Sequence, residues 1–152
     1  MKKTCSVIIT MILLVSSSAF AGVGFGPRLG YTHDNHLDQF HFGAQLVTDL
    51  SRNVHLIPSV ELGVGDGTLF ALNGDLVYEF TELASGTWSF YAGGGPVITH
   101  YSNNGSGHTD VALALVAGTT RQWRETRQLF GEFRFGIEDA PTLKITVGVN
   151  FF

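Results

Sequence analysis

Three groups of side chains in this 152-residue chain can do chemistry. His100 and Ser102 stand two residues apart, just before the turn signal Asn103-Asn104-Gly105. On an extended segment, residues i and i+2 share a face. The imidazole can then serve as base to the hydroxyl nucleophile, provided an acid orients it. The same two residues also suit a polar strand end running into a turn. A second group is ionic: Arg28, Glu61, Asp75, Glu79, Glu132, Arg134 and Lys144 fall mid-segment, often beside glycine. With three positive against four negative charges, they suit a closed network in which each charge finds a partner. The third group is His33, His36, His41, His100 and His108, imidazoles that can take zinc, copper or nickel. Their spacing follows no established ligand pattern, and loop histidines are more often simply solvent-exposed. No phosphate loop or Cys-x-x-Cys pair occurs, and no cofactor is expected.

The elements that must position these groups are strands. Phe40, Phe42, Ala44 and Leu46 alternate with His41, Gly43 and Gln45. Val54, Leu56, Pro58, Val60, Leu62 and Val64 alternate with His55, Ser59, Glu61 and Gly63. Leu143, Ile145, Val147, Val149 and Phe151 alternate with Lys144, Thr146, Gly148 and Asn150. Period-two alternation marks strands with one apolar face. Several runs reach about ten residues, enough for a tilted strand to cross a bilayer. Eight segments result, at 23–32, 40–50, 54–65, 68–80, 87–100, 108–120, 128–138 and 141–152. The breaks carry turn residues such as Asp34-Asn35, Asp66-Gly67 and Ser85-Gly86. The sixth break, Arg121 to Arg127, is charged instead.

An even number of short-linked strands predicts an all-β fold: an eight-stranded antiparallel up-and-down transmembrane β-barrel. The alternative is a soluble barrel or sandwich with the apolar parity inside. Mid-strand charges among glycines on the other parity favour a polar interior with lipid outside. Aromatic residues near segment ends, among them Tyr31, Phe40, Phe80, Trp88, Tyr101, Trp123 and Phe151, suit interfacial girdles.

The first 21 residues read as an export signal. Lys2 and Lys3 precede an apolar stretch, Val7 to Val15, and the segment closes on Ala19-Phe20-Ala21. The apolar stretch is too short for a membrane helix. The domain division is therefore 1–21, signal peptide, and 22–152, barrel. Without Lys2 and Lys3 the remainder holds seven basic and thirteen acidic residues. That balance, with no basic run, argues against nucleic acid as a partner. Charged residues make up only 14% of the chain, which argues against disorder and a charged coiled coil.

Three stretches carry a resemblance: Tyr91-Ala92-Gly93-Gly94-Gly95-Pro96-Val97, Phe130-Gly131-Glu132-Phe133-Arg134-Phe135, and the ending Thr146-Val147-Gly148-Val149-Asn150-Phe151-Phe152. Together they resemble the small outer-membrane β-barrels of Gram-negative bacteria, the group that includes OmpX and the barrel domain of OmpA. The resemblance implies outer-membrane localisation. It also implies that terminal Phe152 is an insertion signal read by the barrel-insertion machinery. His100-Tyr101-Ser102-Asn103 separately resembles the His-x-Ser-Asn segment of the PagL family of lipid A deacylases. Carried over, His100 is the base and Ser102 the nucleophile, with Asp110 and Glu138 as candidates for the acid.

With the N-terminus in the periplasm, the outer breaks hold His33, Asp34, His36, Asp38, Asp66, His100, His108, Asp110, Glu138 and Asp139. The inner breaks hold Arg52, Glu82, Arg121, Arg124, Glu125 and Arg127. An acidic outer rim can meet lipopolysaccharide phosphates through bridging divalent ions. The expected role is that of a monomeric structural or surface-interaction protein, non-enzymatic, in contact with outer-membrane lipid and lipopolysaccharide. The alternatives are a lipid A esterase or deacylase and a narrow gated ion channel.

Overall fold

The computed structural model describes residues 23–34, 37–65, 67–103, 105–137 and 143–152. The segment read as an export signal lies outside them, as do His36, Asp66, Glu138 and Asp139. Eight strands follow in order: β1 Val23–Asp34, β2 Leu37–Asp49, β3 Val54–Gly65, β4 Gly67–Ser85, β5 Trp88–Asn103, β6 Ser106–Arg124, β7 Arg127–Ile137 and β8 Leu143–Phe151. Each pairs antiparallel with its sequence neighbour, and β1 pairs with β8 to close the barrel. Closure leaves no unpaired edge, so every strand finds its backbone partners within the wall.

Alternation decides what each wall position meets. On β3, Ile57, Ser59 and Glu61 are buried inside, while Leu56 and Val60 are exposed outside. The same division runs around the wall. Phe25, Phe42, Leu72, Ile98, Leu115, Phe133 and Val147 all face out. Arg28, Gln45, Asp75, Thr99, Glu132, Lys144 and Asn150 are buried within. A soluble monomer rarely exposes an apolar patch beyond a few hundred Å². Here the apolar surface encircles the molecule, so its solvent is lipid. The soluble alternative, with the apolar parity inside, is thereby overturned.

Aromatic pairs sit near both edges of this belt. Tyr31 meets Phe40 edge-on at 5.3 Å, and Tyr78 meets Phe80 at 5.2 Å. The hairpins turn tightly at Gly86 and Gly105, whose φ values of 62° and 87° are left-handed positions that glycine takes without steric cost.

Several strands outrun the apolar pattern. The stretch Arg121 to Arg127 is mostly strand, since β6 continues to Arg124 and only Glu125 and Thr126 turn. The Gln122 amide donates to the Thr87 carbonyl at 3.0 Å, which holds the extension to the neighbouring hairpin. Likewise β4 runs on to Ser85, with an irregular register between Phe80 and Ser85. Alternation of hydropathy ends where lipid ends, whereas backbone pairing continues into water.

Glycines inside the wall make room for large side chains opposite. Gly118 pairs directly with Tyr91 across β5 and β6, and a Cβ at Gly118 would strike the Tyr91 ring. Gly118→Val is expected to lower stability by about 1–3 kcal/mol through overpacking. Gly131→Ala, where nothing lies within 4 Å of an added Cβ, should stay within about 0.5 kcal/mol. Urea titration of the folded barrel, followed by tryptophan fluorescence, compares the two.

Candidate functional site

The lumen holds a charged layer built on Arg28, which is 2% exposed. Its Nη1 donates to Gln45 Oε1 at 2.8 Å and its Nη2 to Glu132 Oε1 at 2.9 Å. Its Nε stands 2.9 Å from Glu61 Oε1, a close ion pair whose geometry is too bent for a hydrogen bond. The Lys144 ammonium donates to the other oxygen of Glu61. Arg134 grips Asp75 through both terminal nitrogens and lies 3.5 Å from Glu132. Tyr91 donates its hydroxyl to Glu132 Oε2 at 3.0 Å. Three cations and three carboxylates thus share one buried layer, with charges neutralised inside it. Such a layer is retained only if its members are mutually paired.

Glu79 does not belong to this network. It lies at the end of the lumen beside the turns at 50–53, 86–87 and 125–126, hereafter the turn end, where its Oε2 meets His55 Nε2 at 3.1 Å. The other His55 nitrogen meets Asp49 Oδ1 at 2.7 Å, so one imidazole bridges two carboxylates. The reason is height: Glu79 shares a face with Asp75 but stands four residues nearer the strand end. Between this cluster and the charged layer lies a small apolar ring of Val47, Ile57, Val77, Tyr91 and Val116. The cluster and the ring residues Val47, Ile57, Val77 and Tyr91 border a cavity of about 330 Å³ that also touches Gln128, Asn150 and Phe152.

The histidines are dispersed rather than assembled. His41, 1% exposed, is deep in the lumen, between Thr32 Oγ1 and Thr146 Oγ1, each at 3.0 Å. Its parity, shared with Gly43 and Gln45 and opposite to Phe40 and Phe42, carried that information. His33 meets Asp38 at 2.7 Å and His108 meets Asp110 at 2.6 Å, both at the loop rim. The hydrogen bond from His33 is the main reason the Asp38 carboxyl sits below the usual carboxylate range. Among the described residues, no group of three or more His, Cys, Asp or Glu side chains is placed to hold a metal.

His100 and Ser102 both face outward on β5 and are exposed. The His100 Nδ1 is engaged with Thr109 Oγ1 at 2.8 Å. Asp110 occupies the opposite parity and is committed to His108, so it does not orient His100. The other candidate acid, Glu138, lies outside the described residues. The described residues therefore bring base and nucleophile to one face without an acid behind them.

Phe151 is the last residue of β8, and Phe152 follows it on the opposite side. Phe152 lines the cavity, its ring occupies the space a Cβ on Gly24 would need, and its amide donates to Thr126 at 3.0 Å. Phe151 faces outward beneath Arg127. Sequence reasoning missed Tyr91 and Gln45 as members of the charged layer, although their parity places both inside.

A closed eight-stranded barrel with a lipid-facing belt and an ion-paired interior defines a transmembrane β-barrel of the outer-membrane type. Solved structures of that type are similar to it. The N-terminal β-barrel domain of Pseudomonas aeruginosa OprF aligns with a TM-score of 0.67 at 15% identity, over 84% of this chain and 96% of that one. Neisserial surface protein A aligns at 0.64 and 11% identity, over 85% and 94%. Ail, the attachment invasion locus protein of Yersinia pestis, aligns at 0.53 and 14% identity, over 85% and 95%. At these identities the likeness concerns the fold. No family model and no curated protein matches the sequence.

Proposed function

We propose that this chain is a monomeric outer-membrane barrel, exported by a cleaved signal at 1–21, with a structural or surface-interaction role. The observation that carries this reading is the ion-paired layer across the lumen. Arg28 reaches from β1 to Glu132 on β7 and to Glu61 on β3. An eight-stranded barrel has room for little more than its own side chains, and here those side chains are locked to one another. This favours a sealed scaffold over a gated ion path. The outward placement of His100 and Ser102 without an orienting acid favours a non-enzymatic role over lipid A deacylation.

Of the similar structures, one is named a Neisserial surface protein and another, Ail, is named for attachment and invasion. In this chain the segments between strands at the loop end are residues 35–36, 66, 104–105 and 138–142, the longest of them five residues. A surface role here would use the rim itself, where His33, Asp38, His108 and Asp110 could meet lipopolysaccharide through bridging divalent ions. Phe152 would serve the insertion machinery as a terminal signal.

Two measurements test the reading. Cell fractionation should place the protein in detergent-extracted outer membrane with heat-modifiable gel mobility; recovery from the periplasm would overturn the localisation. In a planar bilayer the purified barrel should give no unitary current steps, and stepwise currents would establish the channel instead.

A further inference from the structure

We propose that the turn end of the barrel carries a binding site for the phosphate of an anionic phospholipid, formed by Arg121, Arg124 and Arg127. The β6–β7 hairpin gathers these three side chains. Arg124 pairs directly with Arg127 across the hairpin, and Arg121 pairs with Leu129, two residues from Arg127. Like charges facing each other across a strand pair destabilise it. Among the described residues, no carboxylate forms an ion pair with any of the three, whereas the buried cations Arg28, Arg134 and Lys144 are all paired. The hairpin also carries Glu125 at its turn, but three arginines outnumber it, so the cluster keeps a net positive charge in an otherwise acidic protein, and a bound anion would relieve its repulsion.

Aromatic rings place the cluster at headgroup depth. Arg121 lies over Trp88 at 5.2 Å, Arg124 over Trp123 at 5.8 Å and Arg127 over Phe151 at 5.6 Å. These rings are exposed on the outer wall, where the apolar belt meets the turns. Tryptophan rings prefer the membrane interface, and arginine stacked on a ring keeps its planar fork free for phosphate oxygens. The hairpin is held from within: the Gln122 side chain donates to the carbonyls of Arg124 and Glu125. The ligand is therefore a lipid, its phosphate on the guanidinium groups and its chains along the belt, in the leaflet that meets the turns.

The chain's two tryptophans are Trp88 and Trp123, so the site carries its own reporters. The barrel is folded into phosphatidylcholine vesicles containing phosphatidylglycerol brominated on the upper acyl chain, and tryptophan quenching is compared with the bulk lipid fraction. The expected result is a preference of about fivefold or more for phosphatidylglycerol. R121Q/R124Q/R127Q should bring the ratio to one. If that variant fails to fold, Arg124→Gln alone should at least halve the preference, because its side chain lies beyond the belt. Inorganic phosphate should not displace the lipid.

A ratio of one in the parent, an unchanged ratio in a folded variant, or displacement by inorganic phosphate would each overturn the proposal. The proposal rests on the barrel spanning a bilayer. Failure to insert would count against that reading, whereas an inserted barrel without preference counts against this one.

Discussion

Arg28→Met is expected to destabilise the barrel by about 3–5 kcal/mol, the largest effect of any single substitution in the lumen. The Arg28 guanidinium is the one group that touches both Glu61 and Glu132 and also Gln45. Its removal leaves Lys144 with Glu61, and Tyr91 and Arg134 with Glu132. The layer then carries two positive against three negative charges in a space that excludes water. The cost arises from the carboxylates left behind rather than from the lost contact alone. A contrasting variant separates these terms. Arg134→Met with Asp75→Leu removes both members of one pair and leaves the remaining charges balanced. Replacing a buried pair by apolar groups is often neutral or stabilising, so this double variant should lie close to the parent while each single change is costly. Equilibrium urea titration in vesicles measures all five proteins, and an Arg28→Met barrel as stable as the parent would refute the hub.

Leu115→Arg should cost about 2–4 kcal/mol, the penalty for arginine on the lipid face near the bilayer midplane. Leu115 is 56% exposed at the middle of β6, between Gly94 and Phe135. Val111→Arg, on the same face nearer the loop end and 70% exposed, should cost only about 0–1 kcal/mol. In a water-soluble barrel both positions would be surface sites, and both changes would stay within about 0.5 kcal/mol. The depth dependence is thus a signature of lipid, readable from folding equilibria without a functional assay. Equal and small effects would count against a membrane-spanning wall.

Much of the wall was legible because hydropathy and backbone share one period. The segment read as 54–65 is β3 to the residue, since Val54 to Val64 alternate with Ile57 as the one apolar residue on the inner parity, and turn residues flank them. Elsewhere the hydropathy pattern stopped short. Arg121 to Arg127 read as a charged break because nothing in its composition distinguishes a loop from a strand that has left the membrane. The paired backbone and the rings beneath the arginines keep it extended. Among the ionic residues, parity placed Arg28, Glu61, Asp75, Glu79, Glu132, Arg134 and Lys144 on one side of the wall. It could not separate Glu79 from the rest, because a period of two specifies a face and not a height along the axis. His41 shows the reverse case: its parity was plain, but grouping by residue type placed it with the rim histidines.

By itself, the sequence determined the number of strands, their antiparallel order and the side of the wall to which most residues belong. Those properties follow from local geometry: successive side chains point to opposite faces, and short turns can join only antiparallel neighbours. The tertiary structure alone decided which interior groups meet. Arg28 reaches Glu132 across 104 positions of sequence, His41 reaches Thr146 across 105, and Arg134 reaches Asp75 across 59. Those partners depend on the stagger of the strands as the sheet closes on itself. Stagger is a property of the whole ring, so no single strand contains it.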